Sequence, residues 1–414
     1  MLNKQTDFIE SLPKLLQDKK IILGVSGSVA IYKSLEVIRI LQKLGASVRV
    51  VMSKSAQAFI NPLLFEAISH YQVLTQETQS WGQNPCNHIE LANWGDAFLI
   101  APSTANTLSK IANGIADNVL LESFLAFNKI KLIAPAANTK MLENPATQES
   151  LKILQHRGFQ IVAPQCKELA CQTIGNGALA EPLEITFALI RAFYKNPFWE
   201  KCAVCVSGGG SKEAIDSVRF ISNFSSGKMG ASIALVAYFL GAKVCFLAPQ
   251  SPFPLPLGIA HHKVESTQDY LGAIMLWQKQ LKEIPNNNAF LFMSAAISDY
   301  IPQEKAQGKL KKQDIGTTWQ LNLRENIDIL ATIPKLQKTI GFKLESHNGI
   351  TNAKDALKRK NLDAICLNTI TQTHNPLESQ NNQILFITDK ESQDLGFCDK
   401  FSLAFKILQQ AQNL

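Results

Sequence analysis

Short apolar runs alternate with helix-period segments along the first half of the chain. KIILGVSG (20–27), SVRVVMS (47–53), AFLIAP (97–102) and KLIAP (131–135) have the length and β-branched content of buried strands. Between them, apolar residues recur at helical spacing from Ile31 to Leu44 and again from Thr104. Regular alternation of this kind predicts parallel strands joined by crossover helices. A second cycle begins after KNPFWEK (Lys195 to Lys201), whose proline and aromatic residues interrupt the helical pattern that ends near Tyr194. It runs through CAVCVSGGG, a helix over Lys228 to Leu240, AKVCFLAP, a helix near Tyr270 to Lys282, and then AFLFMSAA, TIGFKL, DAICLN and QILFIT. The pattern predicts an α/β chain of two doubly wound, Rossmann-like domains with largely parallel sheets, residues 1–200 and 201–414.

Length agrees, since 414 residues exceed one ordinary core. Hydrophobic residues make up 46% and charged residues 18%, with no low-complexity tract, so both halves are expected to fold. A net charge of +7 falls short of the basic stripe of a nucleic-acid binder and suits small phosphorylated ligands better. The longest apolar stretch, Ala231 to Pro249, is divided by Gly241 and Lys243 into a helix and a strand, so no membrane span is expected. The first residues, MLNKQTDFIESLPKLLQDKK, contain acidic side chains and no continuous apolar core. They do not read as a signal peptide, and a cytoplasmic location is expected. Eight irregularly spaced cysteines read as reduced thiols there; Cys202 and Cys205 have CxxC spacing but no second pair to complete a zinc site.

Each half opens with strand, glycine-containing turn and helix: Gly24-Val25-Ser26-Gly27-Ser28 and Ser207-Gly208-Gly209-Gly210-Ser211. Either could cradle phosphate on free N–H groups, and either could be a plain tight turn. Neither completes GxGxxG, and neither following strand (VVMS, CFLAPQ) ends in the acid that binds an adenosine ribose, which argues against NAD. The absence of GxxxxGK[ST] argues against a P-loop nucleotidase.

Further segments carry more specific signals. The first half contains GVSGSVAIYK (24–33), NHIELANWGD (87–96), APSTANTLSKIANGIADN (101–118), PAANTKML (135–142) and the surroundings of Cys171. The second contains ISNFSSGKMG (221–230), AAISDY (295–300) and KLKK (309–312). In this order, over nearly the whole chain, they resemble the bacterial bifunctional phosphopantothenoylcysteine decarboxylase and phosphopantothenate-cysteine ligase. The resemblance implies a flavodoxin-like first domain holding FMN with Gly27, Ser28, Ser53, Ser103, Thr104 and Asn106. It implies His88 as the base in oxidation of the substrate's cysteine side chain, Asn138 as the group that bonds the substrate carboxylate, and Cys171 as the proton donor that completes the product. Without it, APSTANT would be an ordinary helix cap, His88 a surface or capping residue and Cys171 a buried structural thiol. The chain departs from the family pattern at Ala137 and Leu142, where Met and Trp are usual, and at Gln172, Thr173 and Ala178 around Cys171.

For the second domain the resemblance implies ligation of cysteine to 4′-phosphopantothenate with CTP, through an acyl-cytidylate. Asn223 matches the residue that handles this intermediate, and Lys309 matches a lysine needed near the triphosphate. Ser294, Ala295, Asp299, the segment Ile327, Asp328, Ile329 and Leu330, Phe342 and Lys360 are expected to bind CTP. Read alone, KLKK would be a solvated basic loop. Ala356 replaces a second CTP-contacting lysine, for which Lys354 or Lys358 is expected to compensate; Ile327 and Thr369 stand where Pro and Asp are usual. Magnesium or manganese is expected with the triphosphate, without assignable protein ligands. The resemblance also implies homo-oligomers, trimers of the first domain and dimers of the second. Rival readings are a peptidyl-cysteine decarboxylase, a flavin prenyltransferase, a flavoprotein with ligase activity only, a non-catalytic regulatory relative and a Rossmann dehydrogenase. Cys171 with the ligase-like half, retention of His88, and the missing ribose acid weigh against these.

Overall fold

The computed structural model describes residues 2–82, 86–168, 174–281, 288–311, 313, 316–369 and 379–414. The chain divides into two compact units, one of residues Ile9–Tyr194 and one of Lys195–Leu414 together with residues 1–8.

In the unit of residues 9–194, β1 (Lys20–Val25), β2 (Ser47–Met52), β3 (Ala97–Ser103), β4 (Ile130–Pro135) and β5 (Gln160–Ile161) form one parallel sheet in the order β2-β1-β3-β4-β5. β3 is buried over its whole length and β1 at every position but Lys20, as central strands covered on both faces must be. This is the flavodoxin-like order, which reverses direction between β1 and β3 and opens a crevice beyond the strand C-termini there. The helix anticipated from Ile31 starts at Tyr32, after a 3-10 turn over Val29–Ile31. An antiparallel hairpin, β6 (Gln165–Glu168) with β7 (Ile174–Ala178), stands apart from the sheet. Its alternation was too short and polar to be anticipated.

The second unit is built on eight strands in the order β12-β11-β8-β13-β16-β17-β18-β19. These are β8 (Ala203–Ser207), β11 (Lys243–Ala248), β12 (Ile259–Lys263), β13 (Ala289–Met293), β16 (Lys338–Glu345), β17 (Ala364–Thr369), β18 (Asn381–Ile387) and β19 (Ser392–Asp399). β12 to β17 are parallel, and β17-β18-β19 close that edge as an antiparallel meander. β12 (IAHHK) and β19 (SQDLGFCD) are edge strands with mostly exposed side chains, so neither carries an apolar pattern. Small ribbons, β9 (Glu213–Ala214) with β10 (Phe220–Ile221) and β14 (Tyr300–Pro302) with β15 (Leu323–Glu325), lie outside the main sheet.

The apolar stretch from Ala231 is a core element: the helix Lys228–Phe239 is buried at nearly every position and leads through Gly241 into β11. Among the described residues no helix is long and apolar enough to cross a membrane, and no cluster of His, Cys, Asp and Glu is placed to hold a metal ion.

Candidate active sites in the two units

In the first unit, Ser26 Oγ donates to the Pro102 carbonyl at 2.8 Å and accepts the Thr104 N–H at 3.0 Å. The Ser53 N–H donates to the Val25 carbonyl at 3.2 Å. These bonds draw the loops after β1, β2 and β3 together at the point where the strand order reverses. Ser28, Ser53 and Thr104 each cap the turn that follows, accepting from Ala30, Ala56 and Thr107 N–H groups, and the Ser53 and Thr104 hydroxyls also bond the Ser55 and Thr107 hydroxyls, each at 3.0 Å. A Cβ on Gly27 would lie 2.7 Å from Ser55 Cβ, so only glycine lets the turn sit this close. Asn106 is exposed near the start of the helix Ala105–Ala112. Ser103 Oγ is buried and has no bonding partner among the described residues. Such a hydroxyl costs about 1–3 kcal/mol unless something else satisfies it. Hydroxyls and N–H groups at helix starts, with no carboxylate among the residues expected here, fit the phosphate of a flavin mononucleotide.

Asn87 caps the helix His88–Trp94 by accepting the Ile89 and Glu90 N–H groups, both at 3.0 Å, which fixes His88 in the first helical position. His88 Nδ1 is 3.2 Å from Gln79 Oε1 and 3.6 Å from Glu122 Oε2, and the Trp81 ring meets the imidazole edge to face at 5.5 Å. Two acceptors at Nδ1 hold the proton there and leave the lone pair of the neutral ring on Nε2. Gln79 and Trp81 come from one segment and Glu122 from another, and no spacing in the sequence pointed to them.

Asn138 lies close to Ser103 in the chain path, because the Ala136 N–H donates to the Ser103 carbonyl at 2.9 Å. Its Oδ1 accepts the Lys140 N–H at 3.0 Å. The β6–β7 hairpin rests on this loop through the bond from the Ala137 N–H to the Gly177 carbonyl, 3.0 Å. Gly175 and Gly177 are pressed so closely on Thr139 and Ala137 that neither has room for a Cβ. Glu181 pins the hairpin base, pairing with Lys33 at 3.1 Å and with Lys167 of β6. Burial raises the pKa of the Glu181 carboxyl, but the two lysines outweigh it and hold the group below the usual carboxylate range. Cys171, Gln172 and Thr173 fall between β6 and β7 and lie outside the described residues. Leu142 is buried, and Ala178 ends β7.

In the second unit, Ser294 Oγ donates to the Ser207 carbonyl at 2.5 Å and the Ala295 N–H to Ser207 Oγ at 3.1 Å. Ala296 and Gly209 are joined at 2.8 Å, and Asn223 Nδ2 donates to the Ile297 carbonyl at 3.0 Å. Asn326 Nδ2 donates to the Ser298 carbonyl at 2.7 Å, and its N–H to the Asp299 carbonyl at 2.8 Å. Asp328 caps the helix Ile329–Thr332 and pairs with Lys360 at 2.9 Å. Burial opposes the Asp328 charge, yet the Lys360 ammonium and the Ala331 and Leu330 N–H groups keep its pKa low.

Together these segments enclose a cavity of about 900 Å³, a size that holds small-molecule ligands. Asn223 lines it, and so does each residue expected to bind CTP except Lys309: Ser294, Ala295, Asp299, Ile327 to Leu330, Phe342 and Lys360. Lys309 is exposed on the loop between β14 and β15 and is not part of the cavity wall. That loop is held elsewhere: the Leu310 N–H donates to Asp216 Oδ2 at 3.3 Å and the Ser217 N–H to the Gly308 carbonyl at 3.2 Å. The buried Asp216 carboxylate also accepts the Val218 and Arg219 N–H groups, both at 2.7 Å, and the Arg219 guanidinium at 3.1 Å. The Val218 bond foremost, with these others, lowers its pKa. Lys354 and Lys358 are exposed and neither lines the cavity, whereas Arg359 does. The helix Gly349–Arg359 buries Ala356 and turns the two lysines to solvent. Lys228, Asn368 and Lys400 also line the cavity and were not singled out in the sequence.

Residues 9–193 match the flavoprotein family, and residues 199–414 match the DNA/pantothenate metabolism flavoprotein C-terminal domain. The coenzyme A biosynthesis bifunctional protein CoaBC of Vibrio vulnificus is 34% identical over 403 residues, 96% of this chain and 98% of that protein. The Bacillus subtilis protein of that name is 32% identical over 403 residues, 96% of this chain and 97% of its own length. The one from Escherichia coli is 34% identical over 374 residues, 89% and 90% of the two chains. Matched along nearly its whole length by these relatives, the chain belongs to the family of bifunctional coenzyme A biosynthesis proteins.

Proposed function

We infer that the chain performs two consecutive steps of coenzyme A biosynthesis. Residues 201–414 ligate cysteine to 4′-phosphopantothenate with CTP, and residues 1–200 decarboxylate the 4′-phosphopantothenoylcysteine so formed to 4′-phosphopantetheine with FMN. The observation that carries the reading is the cavity of the second unit, where residues from four separated segments, expected from sequence to meet CTP, line one wall.

In the ligase, a carboxylate oxygen of 4′-phosphopantothenate attacks the α-phosphorus of CTP and pyrophosphate leaves. The cysteine amine then attacks the acyl carbon and CMP leaves. Asn223 orients the acyl carbonyl, its amide being held by Ile297. Lys309 offsets the repulsion between carboxylate and triphosphate, and its loop supplies it from outside the cavity wall. Magnesium or manganese enters as the counter-ion of the triphosphate substrate.

In the decarboxylase, Ser28, Ser53, Ser103 and Thr104 hold the cofactor phosphate, with Gly27 and Asn106 beside them. FMN, when bound, would supply the two-electron oxidation of the substrate's thiol-bearing carbon and would return the same two electrons after carbon dioxide leaves, so that the product is 4′-phosphopantetheine. His88 takes a proton on Nε2, and Glu122 beside Nδ1 stabilises the imidazolium that results. Asn138 bonds the substrate carboxylate, and Cys171 returns a proton to the product after carbon dioxide leaves. We further infer homo-oligomers, with trimeric contacts in the first unit and dimeric contacts in the second, and a cytoplasmic location. Incubating the purified chain with phosphopantothenate, cysteine and CTP should release CMP and carbon dioxide; CMP release without carbon dioxide would leave a ligase only.

A further inference from the structure

The ribbon β9–β10 brings together two residues that the ligase reading uses apart. Its strands pair Glu213 with Ile221 and Ala214 with Phe220, and residues 215–219 form the turn between them. β10 runs on into Ser222 and Asn223, which line the cavity. The turn carries Asp216, whose side chain is buried. An ionised carboxylate only accepts, and this one meets four donors. Oδ1 takes the Val218 and Arg219 N–H groups, both at 2.7 Å, which close the turn on itself. Oδ2 takes the Arg219 guanidinium at 3.1 Å and, from 94 residues further along the chain, the Leu310 N–H at 3.3 Å.

That fourth donor follows Lys309 directly, and the residue before Lys309 is held by the same turn. The Ser217 N–H donates to the Gly308 carbonyl at 3.2 Å, the Ala306 N–H to the Ile215 carbonyl at 3.0 Å, and the Arg219 guanidinium to the Leu310 carbonyl at 3.3 Å. Arg219 also lies over the ring of Trp319, later in the same loop, at 5.5 Å. The backbone is thus pinned on both sides of Lys309, while the Lys309 side chain itself is exposed. A lysine on an untethered loop would pay the ordering of loop and side chain at every encounter with substrate; docking Gly308 and Leu310 removes the loop's share of that cost.

We propose that Asp216 is a positioning residue of the ligase, acting through Lys309: its buried carboxylate docks the lysine's loop on the ribbon that leads to Asn223, so that one element places both residues. The proposal rests on the ligase reading and on the part given there to Lys309. Asparagine is the informative substitution, because it keeps the shape but turns an amide NH2 toward one of the two donor pairs.

The test uses the full chain. In Asp216→Asn, trypsin should cleave after Lys309 about 10- to 100-fold faster than in the native chain, the loss of a charge-assisted bond being read as opening of the loop. Given phosphopantothenate and CTP without cysteine, the variant should form acyl-cytidylate about 10- to 100-fold more slowly, and added cysteine should consume the intermediate at the native rate. Carbon dioxide release from 4′-phosphopantothenoylcysteine should be unchanged. A carboxylate that acted through Asn223 would slow the second step instead, and accumulation of acyl-cytidylate in the presence of cysteine would overturn the proposal. So would native trypsin resistance or native acyl-cytidylate formation in the folded variant. Gly308→Ala covers the case in which Asp216→Asn does not fold. Gly308 has φ +82 on the exposed loop, in the left-handed region, and a Cβ there would meet no neighbour, so alanine strains the loop without crowding the core. It should shift both assays in the same direction by about 5- to 30-fold, and native behaviour in both would overturn the proposal equally. Failure of the native chain to form acyl-cytidylate would instead remove the ligase reading, and the trypsin assay would still decide whether Asp216 docks the loop.

Discussion

Replacing Gly210 by alanine tests whether the glycine turn after β8 positions Asn223. Gly210 is wedged between two parts of the ligase cavity: it bridges to Ala296, and a Cβ built on it lies 2.6 Å from the Asn223 carbonyl oxygen and 2.9 Å from Ser222 Oγ. A carbon and a carbonyl oxygen pack at about 3.3 Å or more, so the Asn223 backbone must retreat by roughly 0.7 Å. Gly210 has an ordinary backbone conformation, so the cost comes from crowding alone. Crowding of this kind destabilises by about 1–3 kcal/mol where the chain cannot give, and less where it can. The functional cost is separate from this one, because displacing a reacting group by about 1 Å costs on the order of 100-fold in rate. Gly210→Ala should therefore lower ligation, followed as CMP release, by about 10- to 100-fold. Carbon dioxide release from preformed 4′-phosphopantothenoylcysteine is the internal control and should be unchanged. Native ligation in a folded Gly210→Ala chain would refute the claim that this turn sets the position of Asn223.

Four further outcomes follow from the sites. Lys309→Gln should block acyl-cytidylate formation, while Asn223→Asp should permit it and slow attack by cysteine, leaving the intermediate detectable by mass spectrometry; accumulation in Lys309→Gln would reverse the assignment. Glu122→Gln should lower decarboxylation without loss of bound flavin, since it removes the carboxylate beside His88 Nδ1; native carbon dioxide release in that variant would refute the role. Gly177→Ala should lift the hairpin from the Ala137 loop and reduce decarboxylation while leaving CMP release intact. Asp216 has a lowered pKa in the folded chain, so its contribution to stability is full above the ordinary 3.8 and is lost as pH falls through the lower folded value. Denaturation between pH about 5 and 2 should show a steeper loss for the native chain than for Asp216→Asn.

How much was legible in the sequence depends on whether a signal was local. The central strands β1, β3, β8 and β13 declared themselves because burial on both faces demands unbroken apolar runs. β12 and β19 did not, since exposed edge strands need no such run. The residues expected to bind CTP could be picked out only through their resemblance to a family, yet all but Lys309 meet in one cavity. Lys354 and Lys358 were expected to compensate for Ala356 because they are near it in sequence. Helical geometry instead directs Arg359 to the cavity. Lys400 was not singled out because a single lysine before a helix ordinarily reads as a solvated side chain, whereas the folded chain buries it.

The two glycine turns show how one sequence signal can serve two physical ends. Both follow a first strand, and phosphate cradle and tight turn were equally open readings of each. In the first, Gly27 sits against Ser55 so that Ser28 and Ser53 gather beside Ser103 and Thr104, and the turn contributes donors to the candidate flavin site. In the second, the polar groups are largely consumed within the protein. The Gly208 N–H donates to Leu247, the Gly208 carbonyl accepts Tyr270 Oη–H at 2.6 Å, the Gly209 carbonyl accepts the Ala296 N–H, and the Ser211 N–H donates to the Ala296 carbonyl. Gly210 allows Asn223 to approach, and the turn is bonded to Ala296 of the Ser294–Asp299 segment. The same strand, turn and helix thus border a candidate flavin site in one unit and support the residues around a cavity in the other; what separates them is which neighbours each turn packs against.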